Sequence, residues 1–191
     1  TRRGLARLPR TELMDARCAG LDLVIARTGY TGEDVGYEIF VHPDEAPKLW
    51  NAILDAGKDL GVKPAGLAAR DSTRTEAGLP LYGHEIAGPY GITPFEAGFG
   101  SYVKLHKPFF VGRKAIIAKM KDSAMQIIRF RMTQKGVKVP KLGDPVINTR
   151  GRCVGYVTSC AIDSEGYLIG LAYVERKAAK EGSQIGIFVL P

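Results

Sequence analysis

The chain has 191 residues, of which 45% are hydrophobic and 25% charged, a composition that fits one large or two small globular domains. No apolar stretch approaches the ~20 residues that a membrane-spanning helix needs, so we expect no membrane segment. The 27 Lys and Arg against 20 Asp and Glu give a net charge of +7, which favours anionic ligands or acidic partners. Because the basic residues look scattered and form no nucleic-acid-binding motif, we expect no nucleic-acid partner.

The cysteines and histidines have no metal-ligand spacing, so we expect no metal site. Cys18, Cys153 and Cys160 form no C-x-x-C pair and are predicted to be reduced thiols of an intracellular protein. The arginine-rich first seventeen residues contain Glu12 and Asp15, which argue against a transit peptide. We expect a solvated segment of a longer, cytoplasmic chain (or of a mitochondrial matrix protein if the source is eukaryotic).

The first half of the chain has alternating α and β patterns. Period-2 alternation predicts a strand over 21–25, and a glycine-punctuated turn at 29–36 leads to a second strand over 37–41. Apolar residues at helical spacing predict a helix over 46–54, with Trp50 in the core. A second helix is predicted over 66–77, ended by Gly78 and Pro80. This order indicates an α+β sandwich with helices on one face.

The second half reads as strands. After a short helix predicted over 114–120, apolar runs recur between turn signals. The runs lie at 127–132, 146–147, 154–158, 167–174 and 185–189. Their spacing predicts a small antiparallel barrel or sandwich that begins near residue 125.

Several motifs resemble the glycine-cleavage T-protein (aminomethyltransferase) family, in the family's order and over nearly the whole chain. They are RTGYTGED at 27–34, GYE at 36–38, GLAARD at 66–71, LYGHE at 81–85, TPFEAGFG at 93–100, FVGRK at 110–114, GYVTS at 155–159 and LAYV at 171–174. The resemblance implies the carboxy-terminal half of such a protein. It assigns residues 1–105 to the last part of a ferredoxin-like folate-binding domain, and residues 106–191 to a linker helix and a small antiparallel β-barrel.

The resemblance also implies the chemistry. Family members pass an aminomethyl group from the lipoyl arm of the glycine-cleavage H protein to tetrahydrofolate and release ammonia. The family's catalytic aspartate lies upstream of this chain, so we expect no catalytic residue here and an inactive fragment. Ser101 stands where the family commonly has a tryptophan near folate, which leaves the one-carbon donor open.

Four residues are carried over as folate-binding candidates. Glu38 corresponds to the pterin-binding glutamate, since a carboxylate matches the adjacent N–H and amino donors of a pterin edge. Arg70 corresponds to the family's ligand-binding arginine, whose planar fork suits the carboxylates and carbonyls of the folate tail. Tyr30 and Tyr82 are candidate channel walls. For His84 we favour a role in fixing its loop over a role as a base.

Three alternatives stay open. The second hypothesis, also folate-based, is a demethylase or the folate domain of a flavin-linked amine oxidase. A non-catalytic folate-binding assembly factor is disfavoured, because the signature KGCYxGQE of those relatives is absent where this chain has LYGHE at 81–85. The hypothesis of a basic nucleic-acid adaptor rests on the net charge alone.

Overall fold

The computed structural model describes residues 2–121 and 123–190, which fall into two compact units. The first unit runs to Arg70 and the second starts at Asp71. Both contain helices and antiparallel strands, so the α+β class is confirmed. This division into two compact units is a different one from the predicted domain boundary between residues 105 and 106, which stays a prediction.

The predicted elements appear in the predicted order, and α1 and β1, which were not predicted, precede them. The helices are α1 (Arg2–Arg7), α2 (Ala46–Gly57), α3 (Leu67–Glu76) and α4 (Arg113–Lys121). The strands are β1 (Leu13–Cys18), β2 (Leu21–Ala26), β3 (Glu38–Phe40), β4 (Met125–Lys135), β5 (Pro145–Asn148), β6 (Cys153–Ile162), β7 (Tyr167–Glu175) and β8 (Ile185–Ile187). Short 3₁₀ turns cover Pro43–Glu45, Lys58–Leu60, Gly100–Tyr102 and Arg176–Ala178. None of the described helices is long and apolar enough to cross a membrane.

In the first unit a three-stranded antiparallel sheet packs on helix α2. The strand order is β1-β2-β3, so the predicted pairing of β2 with β3 is confirmed. Leu21, Leu23 and Ile25 alternate along β2 and are buried on one face. They form a core with Leu49 of α2, as the period-2 pattern of β2 and the helical pattern of α2 require.

Two expectations for the first unit are wrong. Trp50, predicted in the core, is 52% exposed, because the sheet is three strands wide and Leu49 is the only large side chain that α2 buries against it. The segment before β1 is not simply solvated. Leu8 is buried and its carbonyl accepts a hydrogen bond from the Arg27 guanidinium at 2.9 Å, while Leu5 packs against the core.

In the second unit a five-stranded antiparallel sheet has the order β4-β7-β6-β5-β8. The central strand β7 is buried along most of its length, and Val157, Ala172 and Val174 lie in the core with no exposed surface. The antiparallel strands predicted after residue 125 are therefore confirmed. Within the described residues β4 and β8 are the two edges of this sheet, so a closed barrel stays a prediction.

The three cysteines are free thiols, as predicted. Cys18 and Cys153 are exposed, whereas Cys160 is partly covered on β6. Burial raises the pKa of the Cys160 thiol to about 12, and the carboxylates of Asp144 and Glu85 add to the shift. Since the thiolate is the reactive form, Cys160 is chemically the least reactive of the three.

We therefore expect alkylation by iodoacetamide at pH 8 to separate the cysteines. At that pH only about one Cys160 thiol in 10⁴ is ionised, so Cys160 should react at least about a hundredfold more slowly than Cys18 and Cys153. Peptide mass spectrometry over time gives the three rates. The Cys160 rate should rise about tenfold per pH unit up to about pH 11 in the folded protein, and equal rates at pH 8 would contradict the assignment.

Candidate functional site

The tip of the β2–β3 hairpin is held narrow by two glycines. A Cβ on Gly36 would lie 3.2 Å from the Thr28 carbonyl oxygen and 3.5 Å from the Gly29 Cα, so the two sides of the tip touch through backbone. Within the tip, the Glu33 amide donates to the Thr31 hydroxyl at 3.3 Å. This neck leads the chain directly into β3, whose first residue is Glu38.

Glu38 presents an unengaged carboxylate. In the β2–β3 register Glu38 pairs with Ala26, and Phe40 pairs with Val24. Side chains of paired residues share a sheet face, as do residues two apart on a strand. The Glu38 carboxylate is exposed on this face and makes no side-chain hydrogen bond or ion pair with another described residue. Both of its oxygens are therefore available to an external donor.

The immediate neighbours of Glu38 on that face are apolar. Ala26 and Phe40 flank it, and Leu13 of β1 follows in the row across the sheet, opposite Ala26. Leu13 and Phe40 are 67% and 58% exposed. A depression of about 680 Å³ shares Val24 and Phe40 with this face, but Asp15, Arg17, Asp22 and His42 also line it and Glu38 does not. The arrangement can accept the flat side of a ring while Glu38 accepts hydrogen bonds from its edge.

The structure brings Tyr30 and Arg70 together. The guanidinium carbon of Arg70 lies 5.1 Å from the centroid of the Tyr30 ring, a cation–π contact. Arg70 is half-buried at the end of a run of exposed residues, 61–69. Tyr30 thus holds the cation in place through its ring. Tyr30, Glu38 and Arg70 all belong to the first unit, whereas Tyr82 belongs to the second.

Tyr82 lies on a rigid turn. The amides of His84, Glu85 and Ile86 all donate to the Leu81 carbonyl, at 3.0 to 3.2 Å. The ring of Tyr82 is 80% exposed at this turn. An exposed aromatic ring on an ordered turn is available for stacking on another flat ring.

A buried polar cluster holds this turn. Arg74 is fully buried; its Nε donates to Asp71 Oδ1 at 2.6 Å and its Nη1 donates to Glu85 Oε2 at 2.8 Å. Glu85, also fully buried, accepts a further bond from the Leu81 amide at 3.0 Å. Ser159 of β6 accepts from Arg74 Nη2 at 2.8 Å and donates to Glu85 Oε1 at 2.7 Å. Helix α3, the turn and β6 are thereby joined.

His84 also contacts that buried polar cluster. Its Nδ1 lies 3.3 Å from the Ser159 hydroxyl. Ser159 gives its one proton to Glu85, so it accepts from His84, and the proton of a neutral His84 sits on Nδ1. This contact anchors the turn to β6, which agrees with the structural role favoured for His84.

A second buried carboxylate anchors the loop before α4. Glu96 accepts hydrogen bonds from the Tyr173 hydroxyl at 2.5 Å and from the Thr93 amide at 2.8 Å. Burial works to raise the pKa of Glu96, but the bonds from Tyr173 and Thr93 and the charge of Lys119 outweigh it and lower the pKa. Glu96 therefore stays ionised and ties its loop to β7.

Neither buried cluster was foreseen. Ser159 is 85 residues from Arg74 and Tyr173 is 77 from Glu96, so no local pattern links them. One feature of the sequence pointed to buried acids. Glu85 and Glu96 are the acidic residues of LYGHE and TPFEAGFG, two motifs made largely of apolar residues and glycine. A cavity of about 830 Å³ between β4 and the segment 178–185 contains none of the predicted site residues.

Comparison with known proteins assigns this chain to a family. The profile of the GCVT N-terminal domain family matches residues 4–107, more than half of the chain. The chain belongs to this family. The resemblance to T proteins drawn from the motifs is therefore confirmed.

The chain spans about half the length of the curated relatives that it matches. An aminomethyltransferase of Caldanaerobacter subterraneus subsp. tengcongensis is 42% identical over 182 residues, which are 91% of this chain and 45% of that protein. One of Streptomyces avermitilis is 44% identical over 169 residues, 86% of this chain and 44% of that protein.

A solved structure agrees. The crystal structure of glycine cleavage system aminomethyltransferase T from Bartonella henselae superposes with a TM-score of 0.80 at 28% identity. The match covers 96% of this chain and 49% of that protein. The chain thus corresponds to about half of a GCVT-family protein.

Replacing Glu85 by Gln should destabilise the second unit. The change leaves the buried Arg74 charge with Asp71 alone, and breaking one side of a buried ion pair costs about 3–5 kcal/mol. Urea unfolding of the second unit checks this. Glu165→Gln is the matched control, since Glu165 forms an exposed ion pair with Arg131 and such pairs contribute about 0–1 kcal/mol. Equal losses for the two variants would contradict the assignment.

Proposed function

We propose that this chain is the carboxy-terminal half of a tetrahydrofolate-dependent aminomethyltransferase of glycine cleavage. In that reaction the one-carbon unit moves from the lipoyl arm of an H protein to tetrahydrofolate and ammonia leaves. The observation that carries the proposal is Glu38, an unengaged carboxylate on an apolar sheet face, in a chain 42% identical to aminomethyltransferases.

Glu38 is matched to a pterin edge. Tetrahydrofolate presents a ring N–H beside an amino group, and the two carboxylate oxygens accept both in a bidentate pair. Ala26 and Phe40 on the same face offer apolar contact to the ring. Because no donor among the described residues occupies Glu38, the ligand does not have to displace one of them.

Arg70 is suited to the acidic end of folate. Its guanidinium offers a planar fork to a carboxylate or carbonyl, and the Tyr30 ring beneath it restricts the side chain before the ligand arrives. A restrained arginine loses less conformational freedom on binding. Tyr82 is proposed as a further wall of the folate site, supported by its exposure on an ordered turn.

The first unit carries apolar surface that a complete domain would cover. Trp50, Leu60 and Leu67 are each more than half exposed. Exposed apolar patches of this kind mark interfaces. This supports the assignment of residues 1–105 to part of a folate-binding domain that other residues complete. The strands from Met125 support a separate carboxy-terminal domain within residues 106–191.

Glu38→Gln should weaken tetrahydrofolate binding by about tenfold to a hundredfold. The glutamine side chain keeps the shape of glutamate but replaces one acceptor oxygen with an NH₂ group, which faces a donor of the pterin edge. One charged hydrogen bond is then lost, and such a bond contributes about 1.5–3 kcal/mol. Calorimetry on the full-length protein that contains this chain measures the affinity. Glu33→Gln, an exposed acid at the hairpin tip, should leave it unchanged; unchanged affinity in Glu38→Gln would remove the assignment.

The isolated 191-residue chain should not catalyse aminomethyl transfer to tetrahydrofolate. Positioning folate against the aminomethyl carbon is worth effective molarities of about 10⁵ M or more, and half of a site cannot hold one pose. Ammonia release from aminomethylated H protein should match the no-enzyme rate, while the full-length protein is active. Activity of the fragment within tenfold of full length would overturn this. It would direct the search for an acid to Glu33 and Asp34, because Arg74 engages Asp71 and Glu85.

A further inference from the structure

A small cavity of about 270 Å³ lies where the end of helix α3 meets strands β4 and β7. Its walls, all in the second unit, include Thr75, Glu76, Arg129, Arg131, Asp163 and Ile169. The cavity is smaller than the ~300–1,000 Å³ of sites that hold drug-sized ligands, so it suits a small molecule. None of the four folate-binding candidates lines it.

Arg131 and Asp163 form an ion pair that is satisfied by the chain itself. The Arg131 Nε donates to Asp163 Oδ2 at 2.9 Å, and its Nη2 donates to the Glu165 carboxylate. The other Asp163 oxygen accepts from the backbone amides of Glu165 and Tyr167, at 2.9 and 2.8 Å. The Arg131 guanidinium carbon also lies 4.1 Å from the centroid of the Tyr167 ring. These two charged side chains therefore form a fixed wall of the cavity.

Arg129 and Glu76 carry the two charges that remain in the walls. Within residues 2–121 and 123–190 neither forms an ion pair, with the other or with any further residue. A Cβ built on Gly78 would lie 2.2 Å from the Arg129 Nε, so the guanidinium lies against the bare backbone of this glycine. Glu76 Oε1 accepts a long bond from the Ser164 hydroxyl, at 3.5 Å. Opposite charges that line one small cavity without pairing leave room for a molecule that joins them.

Thr75 contributes a hydroxyl group without a partner. The residue is 2% exposed, and its Oγ1 makes no hydrogen bond within the part of the chain that the structure describes. Thr75 lies in the last turn of α3, directly before Glu76. Since buried polar side chains are nearly always hydrogen-bonded, an unsatisfied hydroxyl in a cavity wall indicates a ligand that supplies the bond. This observation is independent of the two charges.

We propose that this cavity binds a small α-amino acid. Such a zwitterion has a carboxylate and an ammonium group on one carbon, which matches one guanidinium and one carboxylate in the walls of a small cavity. Arg129 binds the ligand carboxylate through its planar fork, and Glu76 accepts from the ammonium group. The Thr75 hydroxyl can donate to the carboxylate or accept from the ammonium group. Ile169 offers apolar contact to the α-carbon.

Simpler ligands fit the cavity less well. Glu76 repels a plain anion, and Arg129 repels a plain cation. A bridging water satisfies Thr75 but neutralises neither charge. The inference goes beyond the proposed function and does not depend on it, because no folate-binding candidate lines the cavity. A ligand here joins α3 to β4 and to the turn between β6 and β7, so binding should stabilise the second unit.

Calorimetry and thermal melting test the proposal on the full-length protein that contains this chain. Glycine is the probe, because it is the smallest α-amino acid. Acetate and methylammonium are matched probes, since each keeps one of the two charges. The variants Arg129→Gln, Glu76→Gln and Thr75→Val each remove one polar group of the cavity. Arg150→Gln and Glu12→Gln are the controls, at exposed residues that do not line it.

Glycine should bind with a Kd on the order of 1 mM and should raise the Tm. Acetate and methylammonium should each bind at least about tenfold more weakly. Arg129→Gln and Glu76→Gln should each weaken glycine binding at least about tenfold, whereas both controls should stay within about twofold of the wild type. Both variant positions are exposed, so the substituted proteins should fold.

Thr75→Val separates a binding role from a structural one. The variant should weaken glycine binding by about twofold to tenfold. Without glycine its Tm should equal or exceed that of the wild type, because valine keeps the shape of threonine and removes a buried hydroxyl that has no partner.

Three results would overturn the proposal. The first is a wild type without saturable glycine binding, and the second is glycine binding that both charge variants leave unchanged. The third is acetate binding as tight as glycine binding, which would assign the cavity to plain anions instead of amino acids.

Discussion

The second unit depends on one buried guanidinium. Arg74 has no exposed surface, and burying an unpaired cation would cost several kcal/mol. The cost is offset because Asp71 and Glu85 supply the charge while Ser159 and the Leu79 carbonyl accept the remaining N–H groups. The arginine can be satisfied only if helix α3, the turn after it and strand β6 meet at one point. The arrangement of these three elements therefore follows from the requirement to satisfy one side chain.

Glu96 applies the same constraint to the next loop. The Tyr173 hydroxyl, the Thr93 amide and Lys119 converge on a carboxylate that is 2% exposed. Each buried acid ends a stretch of irregular chain on the central strands β6 or β7, which apolar packing makes rigid. Loops without secondary structure thus become defined surfaces. That is the condition under which Tyr82, on the loop that Glu85 anchors, can act as a binding group.

Local periodicity was sufficient to predict most elements but not their burial. The alternation in β2 and the helical spacing in α2 depend on neighbours along the chain, so both were predicted correctly. Strand β1 was missed because Asp15 and Arg17 interrupt its apolar residues, and it forms through pairing with β2. Trp50 lies on the predicted stripe, yet burial needs a partner surface that periodicity cannot reveal. The motif resemblance nominated Glu38 and Arg70, but the contact of Arg70 with Tyr30 joins residues 40 apart and required the fold.

Charge in this chain divides into two kinds with opposite consequences. Buried ions such as Arg74 and Glu85 are saturated by protein partners and can only hold structure. Glu38 has no charged partner among the described residues, so its electrostatic free energy is still available to a ligand. Apolar neighbours beside a carboxylate strengthen each hydrogen bond that it accepts, once a flat ring excludes water from the site. A small ligand that must be oriented is therefore expected at Glu38.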